Sequence, residues 1–287
     1  MIYLVLSVVF ATSLFVIFKY FEIFKVDTLK AIVVNYIVAF ILGFLLSENS
    51  ISLAEIPSQP WFEGALMLGL LFVSIFFVMA LTAQRNGVSV VSVAGKMSVV
   101  IPIIFGVILY NESLSIIKII GIILAVFVVY LASVKEDSAK HEKAGLLLPV
   151  ILFLGSGTID TTLKYVQNNY VAENEVAIFS GSLFGFAAFF GLLILIFKTI
   201  KKPESFGIKN LIAGIILGVP NYYSIVFLIK ALQTKGFESS TLFTINNVGI
   251  VVVSTLVGLL LFKESFSLKN RIGILLAITG IVLVAIA

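Results

Sequence analysis

Ten stretches of this chain are apolar enough and long enough to cross a bilayer, and only short polar breaks separate them. They cover roughly residues 2–19, 29–47, 61–84, 88–110, 114–134, 145–167, 174–198, 208–233, 237–262 and 267–287. A hydrocarbon core of about 30 Å takes about 20 residues of helix, and in lipid each segment must satisfy its own backbone, so the expected fold is an all-α membrane protein. The longest break, Glu48–Pro60, holds Pro57 and Pro60, and the most charged, Lys135–Lys143, lies near the midpoint. No loop is long enough to fold as a soluble domain. Whatever this chain does is done inside the bilayer or at its edge.

Composition supports that solvent and excludes several functions. Apolar residues make up 60% of the 287, charged residues 12%, and mean hydropathy is +1.18, against about half apolar and a quarter charged in soluble domains. The net charge of +4 comes from loops, and no basic cluster resembles a nucleic-acid footprint. There is no Cys, so thiols give no compartment signal. The first run lacks a basic leader and a small-residue cleavage site and reads as a retained helix. No G-x-x-x-x-G-K-[ST] pattern is present, so ATP is not a direct driver. His141, the sole histidine, sits in the charged central loop and can build neither a metal site nor a membrane Ser–His pair. Neither an enzyme nor a cofactor is expected.

The charged loop 135–144 divides two similar halves, 1–134 and 145–287. Lys19-Tyr20 ends run 1, and Lys164-Tyr165 ends run 6, 145 residues later. Gly69, Ala80-Leu81 and Gly87 in the third run answer Gly218, Ala231-Leu232 and Gly236 in the eighth. Glu112-Ser113-Leu114-Ser115 and Glu264-Ser265-Phe266-Ser267 close runs 4 and 9, with Gly121 and Gly273 following at the same offset of 152. Such a series in one order is an internal duplication. Five spans per repeat is odd, so the halves insert with opposite topology, an architecture of many secondary transporters.

The five-plus-five layout with its paired Glu-Ser-x-Ser and following Gly resembles the drug/metabolite transporter superfamily, EamA-like branch, over nearly the whole chain. The resemblance implies two inverted five-helix repeats in the cytoplasmic (inner) membrane, and a carrier of small metabolites, amino acids or drugs, often outward. Distant four-span multidrug carriers of this superfamily use a membrane carboxylate in their first helix. Here the first run has no acid, and its repeat partner, run 6, has Asp160.

Within the spans, Lys96 is the most telling residue. It lies about eight residues into the run 88–110, so its Cα is roughly 12 Å inside the core at 1.5 Å per residue. An ammonium there costs on the order of 3 kcal/mol and usually faces a polar cavity or a partner. Offsets of 149 to 152 place Lys96 opposite residues 245 to 248, which include Asn246 and Asn247. Run 8 adds Pro220-Asn221-Tyr222-Tyr223, a proline beside hydrogen-bonding and aromatic groups, and Pro102 gives run 4 a similar hinge. Asn35 and Tyr36 are weaker cavity candidates. In run 6, Asp160 and Lys164 share a helix face at i, i+4, either as an ion pair or as a proton-exchanging site. Each of these groups also has a plain structural use, as interhelical glue, packing or interfacial anchoring. Gly181-x-x-x-Gly185 and Gly214-x-x-x-Gly218 permit close helix contact, more often within such a bundle than between copies.

Alternate loops, starting with the first, carry 14 of the 19 Lys and Arg, which places both termini outside by the positive-inside rule, whereas the resemblance implies cytoplasmic termini. The expected function is a secondary transporter of a small polar metabolite, such as an amino acid or organic anion, working by alternating access as an exporter. Lys96 would hold an anionic group, Asn246, Asn247, Asn221, Tyr222 and Tyr223 would shape the site, and Asp160 would answer an amino group or exchange a proton. A proton-coupled drug efflux carrier and a non-transporting scaffold are the alternatives. The expected partners are a small-molecule substrate and the lipid bilayer, with the chain a monomer or weak homodimer that binds no nucleic acid.

Overall fold

The computed structural model describes residues 2–46, 53–102, 104–105, 116, 119–120, 123–124, 127, 145–172, 175–201, 203, 205–232, 239–264 and 268–286. Among them are nine α-helices and no strand: α1 (Ile2–Ile23), α2 (Thr28–Leu45), α3 (Phe62–Arg85), α4 (Val88–Met97), α5 (Leu147–Tyr170), α6 (Val176–Lys201), α7 (Ile208–Leu232), α8 (Ser239–Leu261) and α9 (Leu268–Ile286). Each begins within a few residues of an apolar run. The run at 114–134 lies largely outside the described residues. Among the described residues five helices are long and apolar enough to cross a membrane: Ile2–Ile23, Thr28–Leu45, Phe62–Arg85, Ile178–Lys201 and Ile208–Leu228.

The helices are apolar on their outer faces and carry polar groups inside. Leu45, Ile200, Leu260 and Leu268 are exposed, whereas Ser7, Asn35, Ser92, Asn246 and Ser254 are buried. A helix of a soluble protein does the reverse. Hydrocarbon solvates the outer leucines, while serine and asparagine find partners only in the interior. The chain is a multi-pass membrane protein.

Two compact units make up the fold. The first is Met1–Tyr20, Val78–Thr158 and Tyr223–Ala287, and the second is Phe21–Phe77 and Ile159–Tyr222, so each takes segments from both halves of the sequence. In the first unit α4, α8 and α9 pack on one another. α1 lies against α8, where a Cβ on Gly249 would stand 3.0 Å from Val8 Cγ2, and against α7, where Ser7 Oγ donates to the Ser224 carbonyl at 3.2 Å. At the end of α1, Lys19 donates to the Gln84 carbonyl at 2.7 Å, a cation on the C-terminal carbonyls of α3. α3 ends there because Asn86 and Gly87 both turn their N–H groups back to the Thr82 carbonyl, with Gly87 at φ 111, a conformation that suits only glycine. α4 starts at the next residue.

In the second unit α2 is the central helix, and small residues let two others close on it. α6 runs antiparallel to it: Gly43 meets Gly181, Phe40 covers Gly185, and Val33 covers Gly191. α7 runs parallel: Gly214 lies against Val34 and the Ala31 carbonyl, and Gly218 against Val38 and the Asn35 carbonyl. Both small-x-x-x-small stretches are therefore seams within the chain. Near α3's start, Trp61 packs with Leu68, Ile178, Phe179 and Leu183, and its indole N–H donates to Glu175 at 3.1 Å.

Asp27 ties the loops together at the other end of this unit. It caps α2 by accepting from Lys30 N at 3.2 Å and pairs with Lys198 at 3.1 Å and Lys30 at 3.6 Å. Its own N–H donates to Asn210 at 3.0 Å. Burial pushes the Asp27 carboxyl up, but the Lys30 amide and the Lys198 and Lys30 ammonium groups outweigh it and hold it below the ordinary aspartate value. A carboxyl depressed by folding stabilises the fold above its unfolded pKa, and that contribution is lost as pH falls through the folded value. Thermal stability of the purified protein is therefore expected to drop on acidification below about pH 4, and less so in Asp27→Asn, which has no such proton to take up. An equal acid loss in Asp27→Asn would assign the effect to other carboxylates.

Candidate functional site

The first unit places Lys96 beside a break in its helix. α4 stops at Met97, residues 98–99 form a turn, and helix resumes over 100–102. Pro102 accounts for the break: it has no N–H for the carbonyl four residues back, and it disfavours helix just before itself. The Ile101 N–H reaches the Ser98 carbonyl at 2.9 Å, a tighter turn than α, and Ser98 Oγ donates to the Gly95 carbonyl at 2.6 Å. Lys96 is half-buried in the last turn, where the carbonyl end of a helix favours a cation. Among the described residues nothing lies within 4 Å of a Cβ built on Gly95, the residue before the lysine. Met97 and Ser98 on either side of the break are fully buried.

α8 brings the asparagines to the same unit. Its C-terminal end meets the N-terminal end of α4, where a Cβ on Gly258 would stand 2.8 Å from Ser89 Oγ, so the two helices run antiparallel where they pack. Asn246 is 2% exposed and Asn247 8%. Asn246 Oδ1 has no hydrogen-bond partner among the described residues, an acceptor whose burial costs about 1–3 kcal/mol if it stays unmet.

Glu264 caps α4, a part of the site that the sequence reading used only as a repeat marker. Its Oε1 accepts from Val88 N at 2.7 Å, and its Oε2 accepts from Ser89 N at 3.4 Å and Ser89 Oγ at 3.1 Å. Those N–H groups have no partner inside the helix, and a carboxylate also matches the positive end of the dipole. α8 delivers it through a left-handed turn: Lys263 has φ 50, and Glu264 N donates to the Gly258 carbonyl at 3.0 Å.

Asn221, Tyr222 and Asp160 belong to the second unit. Asn221 Nδ2 donates to Asn35 Oδ1 at 3.1 Å, joining α7 to α2, and Asn35 Nδ2 has no acceptor among the described residues. Tyr222 lies near Gly43. α7 stays helical through Pro220, unlike the chain around Pro102. Asp160 is exposed on α5, and the Lys164 side chain lies outside the described residues. Tyr223, in the first unit, stacks with Phe227 at 5.7 Å between centroids and leans on Phe10 at 6.0 Å. Lys230 lies 5.8 Å above the Tyr3 ring.

The model of the EamA-like transporter family matches residues 1–134. An uncharacterized protein of Haemophilus influenzae is 30% identical over 262 residues, which is 88% of this chain and 86% of that protein. The chain belongs to the EamA-like transporter family. A solved crystal structure at 15% identity shares the fold, with a TM-score of 0.56 over 97% of this chain and 96% of that one. As an EamA-like protein the chain is a membrane transporter of the drug/metabolite type, and transporters rather than enzymes make up this family.

Proposed function

We propose that this EamA-like protein is a secondary transporter that exports a small carboxylate-bearing metabolite, an amino acid or an organic anion, across the inner membrane by alternating access. One observation carries the reading: Lys96 is half-buried beside a turn in its helix, in the middle of an apolar run. Broken helices with charged groups at their ends are how many secondary carriers hold ions and charged substrates at mid-membrane. A substrate carboxylate is the group that an ammonium at that depth binds most strongly. Asn246 and Asn247, in the same unit, offer amide groups for the rest of a polar molecule. The ten-run sequence with its duplicated marks supports two inverted repeats of five spans, 1–134 and 145–287, joined by loop 135–144.

The test is competition among defined probes in reconstituted vesicles. Lactate, succinate, glutamate and leucine, each radiolabelled, are compared with the cations choline and putrescine. Uptake confined to molecules bearing a carboxylate fits Lys96 as anchor. Uptake of the cations alone would overturn it.

Asp160 favours a second reading, proton-coupled efflux, because it is an exposed carboxylate on an apolar helix. On that reading Asp160→Asn removes the dependence of flux on a pH gradient while leaving exchange at equal pH intact. Flux in the wild type that ignores the gradient, or an Asn variant that keeps the dependence, leaves Asp160 a structural partner of Lys164.

A further inference from the structure

We infer that Glu264 is a positioning residue: by clamping the N-terminus of α4 it fixes the register of that helix and so the place of Lys96. The inference rests on the reading of Lys96 as the substrate anchor, and it gives the Glu-Ser pair after α8 a task beyond marking a repeat.

Three features serve that one contact. Glu264 takes both backbone N–H groups at the start of α4 together with the Ser89 hydroxyl. Gly87 leaves room for it, since a Cβ there would stand 2.7 Å from Oε1. Gly258 does the same from the other side, where a Cβ would be 2.5 Å from Oε2 and 2.8 Å from Ser89 Oγ. Lys263 adopts a left-handed conformation that a lysine takes only at a cost, and so turns Glu264 back toward α4. Both glycines and the strained lysine make space for one carboxylate.

The geometry explains why such a clamp matters here. α4 has only ten residues, so its few internal hydrogen bonds hold it weakly by themselves. At its C-terminal end the α-helical pattern gives way to a tighter turn at residues 98–99 before helix resumes. The capped end helps set the register, and Lys96 lies eight residues from the clamped Val88. A slip of one residue would turn the lysine by about 100° around the helix, away from the direction it faces with the clamp in place.

A thiol at position 95 reports the register without any need for transport. The chain has no native Cys, so Gly95→Cys in the full-length purified protein is the only target for N-ethylmaleimide. Glu264→Ala is expected to slow labelling about fivefold, the shift that loss of a helix cap of ordinary strength corresponds to. Gly258→Ala, which displaces the carboxylate without removing it, is expected to do the same. Glu264→Gln keeps an acceptor for Val88 N and is expected to label at nearly the wild-type rate. A second thiol, Leu275→Cys on the exposed face of α9, reports general loosening and should be unchanged throughout. An unchanged or faster rate at position 95 in Glu264→Ala or Gly258→Ala overturns the inference, as does an equal change at position 275. Failure here leaves the carrier reading standing, and a failed flux assay leaves the clamp standing.

Discussion

Lys96→Met is expected to lower uptake of a carboxylate probe at least about 30-fold, with expression, elution profile and thermal stability near wild type. The magnitude follows from losing one partner of a desolvated charge pair, about 2 kcal/mol or more. Methionine keeps the length and apolar stem of lysine, so the packing around Met97 and Ser98 is left alone. A variant that transports normally removes Lys96 from the site. One that fails only because it no longer folds shows that the ammonium was structural.

The largest structural effect is expected at the seam of α2 and α7. Gly214→Leu must push a side chain into the Ala31 carbonyl, which already stands 2.6 Å from a bare Cβ, and into Val34 Cγ1 at 2.7 Å. The first of these is backbone and cannot swing aside. Overpacking of this kind costs about 3 kcal/mol, which for a chain of this size lowers the melting temperature by roughly 10 °C. Gly95→Ala is the control. Among the described residues it meets nothing within 4 Å, and it removes a glycine from a helix, so it should be neutral or slightly stabilising. If both variants melt alike, close approach at Gly214 is not what holds the second unit.

Much of this was legible along the chain. Apolar runs near 20 residues have one common solution in lipid, so helix positions followed from composition, and α4 begins at the residue where its run does. The glycine spacings on α6 and α7 pointed to close seams, and the structure supplies the partner, α2, in both cases. Other features were hidden because they depend on contacts between distant segments. Glu264 reads as a repeat mark until α8 is laid against α4, 176 residues away from Val88 in sequence. Asn221 reads as a cavity residue beside two tyrosines, yet it bonds Asn35. Asp160, expected inside the bundle, is exposed, since i, i+4 spacing shows which residues share a face but not where that face looks. Two prolines gave the same local signal with different results: the helix breaks ahead of Pro102 and continues through Pro220. Proline removes the same hydrogen bond in both, and the packing around each decides whether the helix survives the loss.

The central claim is that Lys96 anchors a carried substrate. Counterflow tests it most directly: vesicles loaded with unlabelled carboxylate probe are diluted into labelled probe, and uptake is followed for the wild type and for Lys96→Met. The account predicts saturable uptake by the wild type, accelerated by probe on the far side, and neither property in Lys96→Met. Unsaturable uptake without acceleration, or acceleration that survives in Lys96→Met, would contradict it.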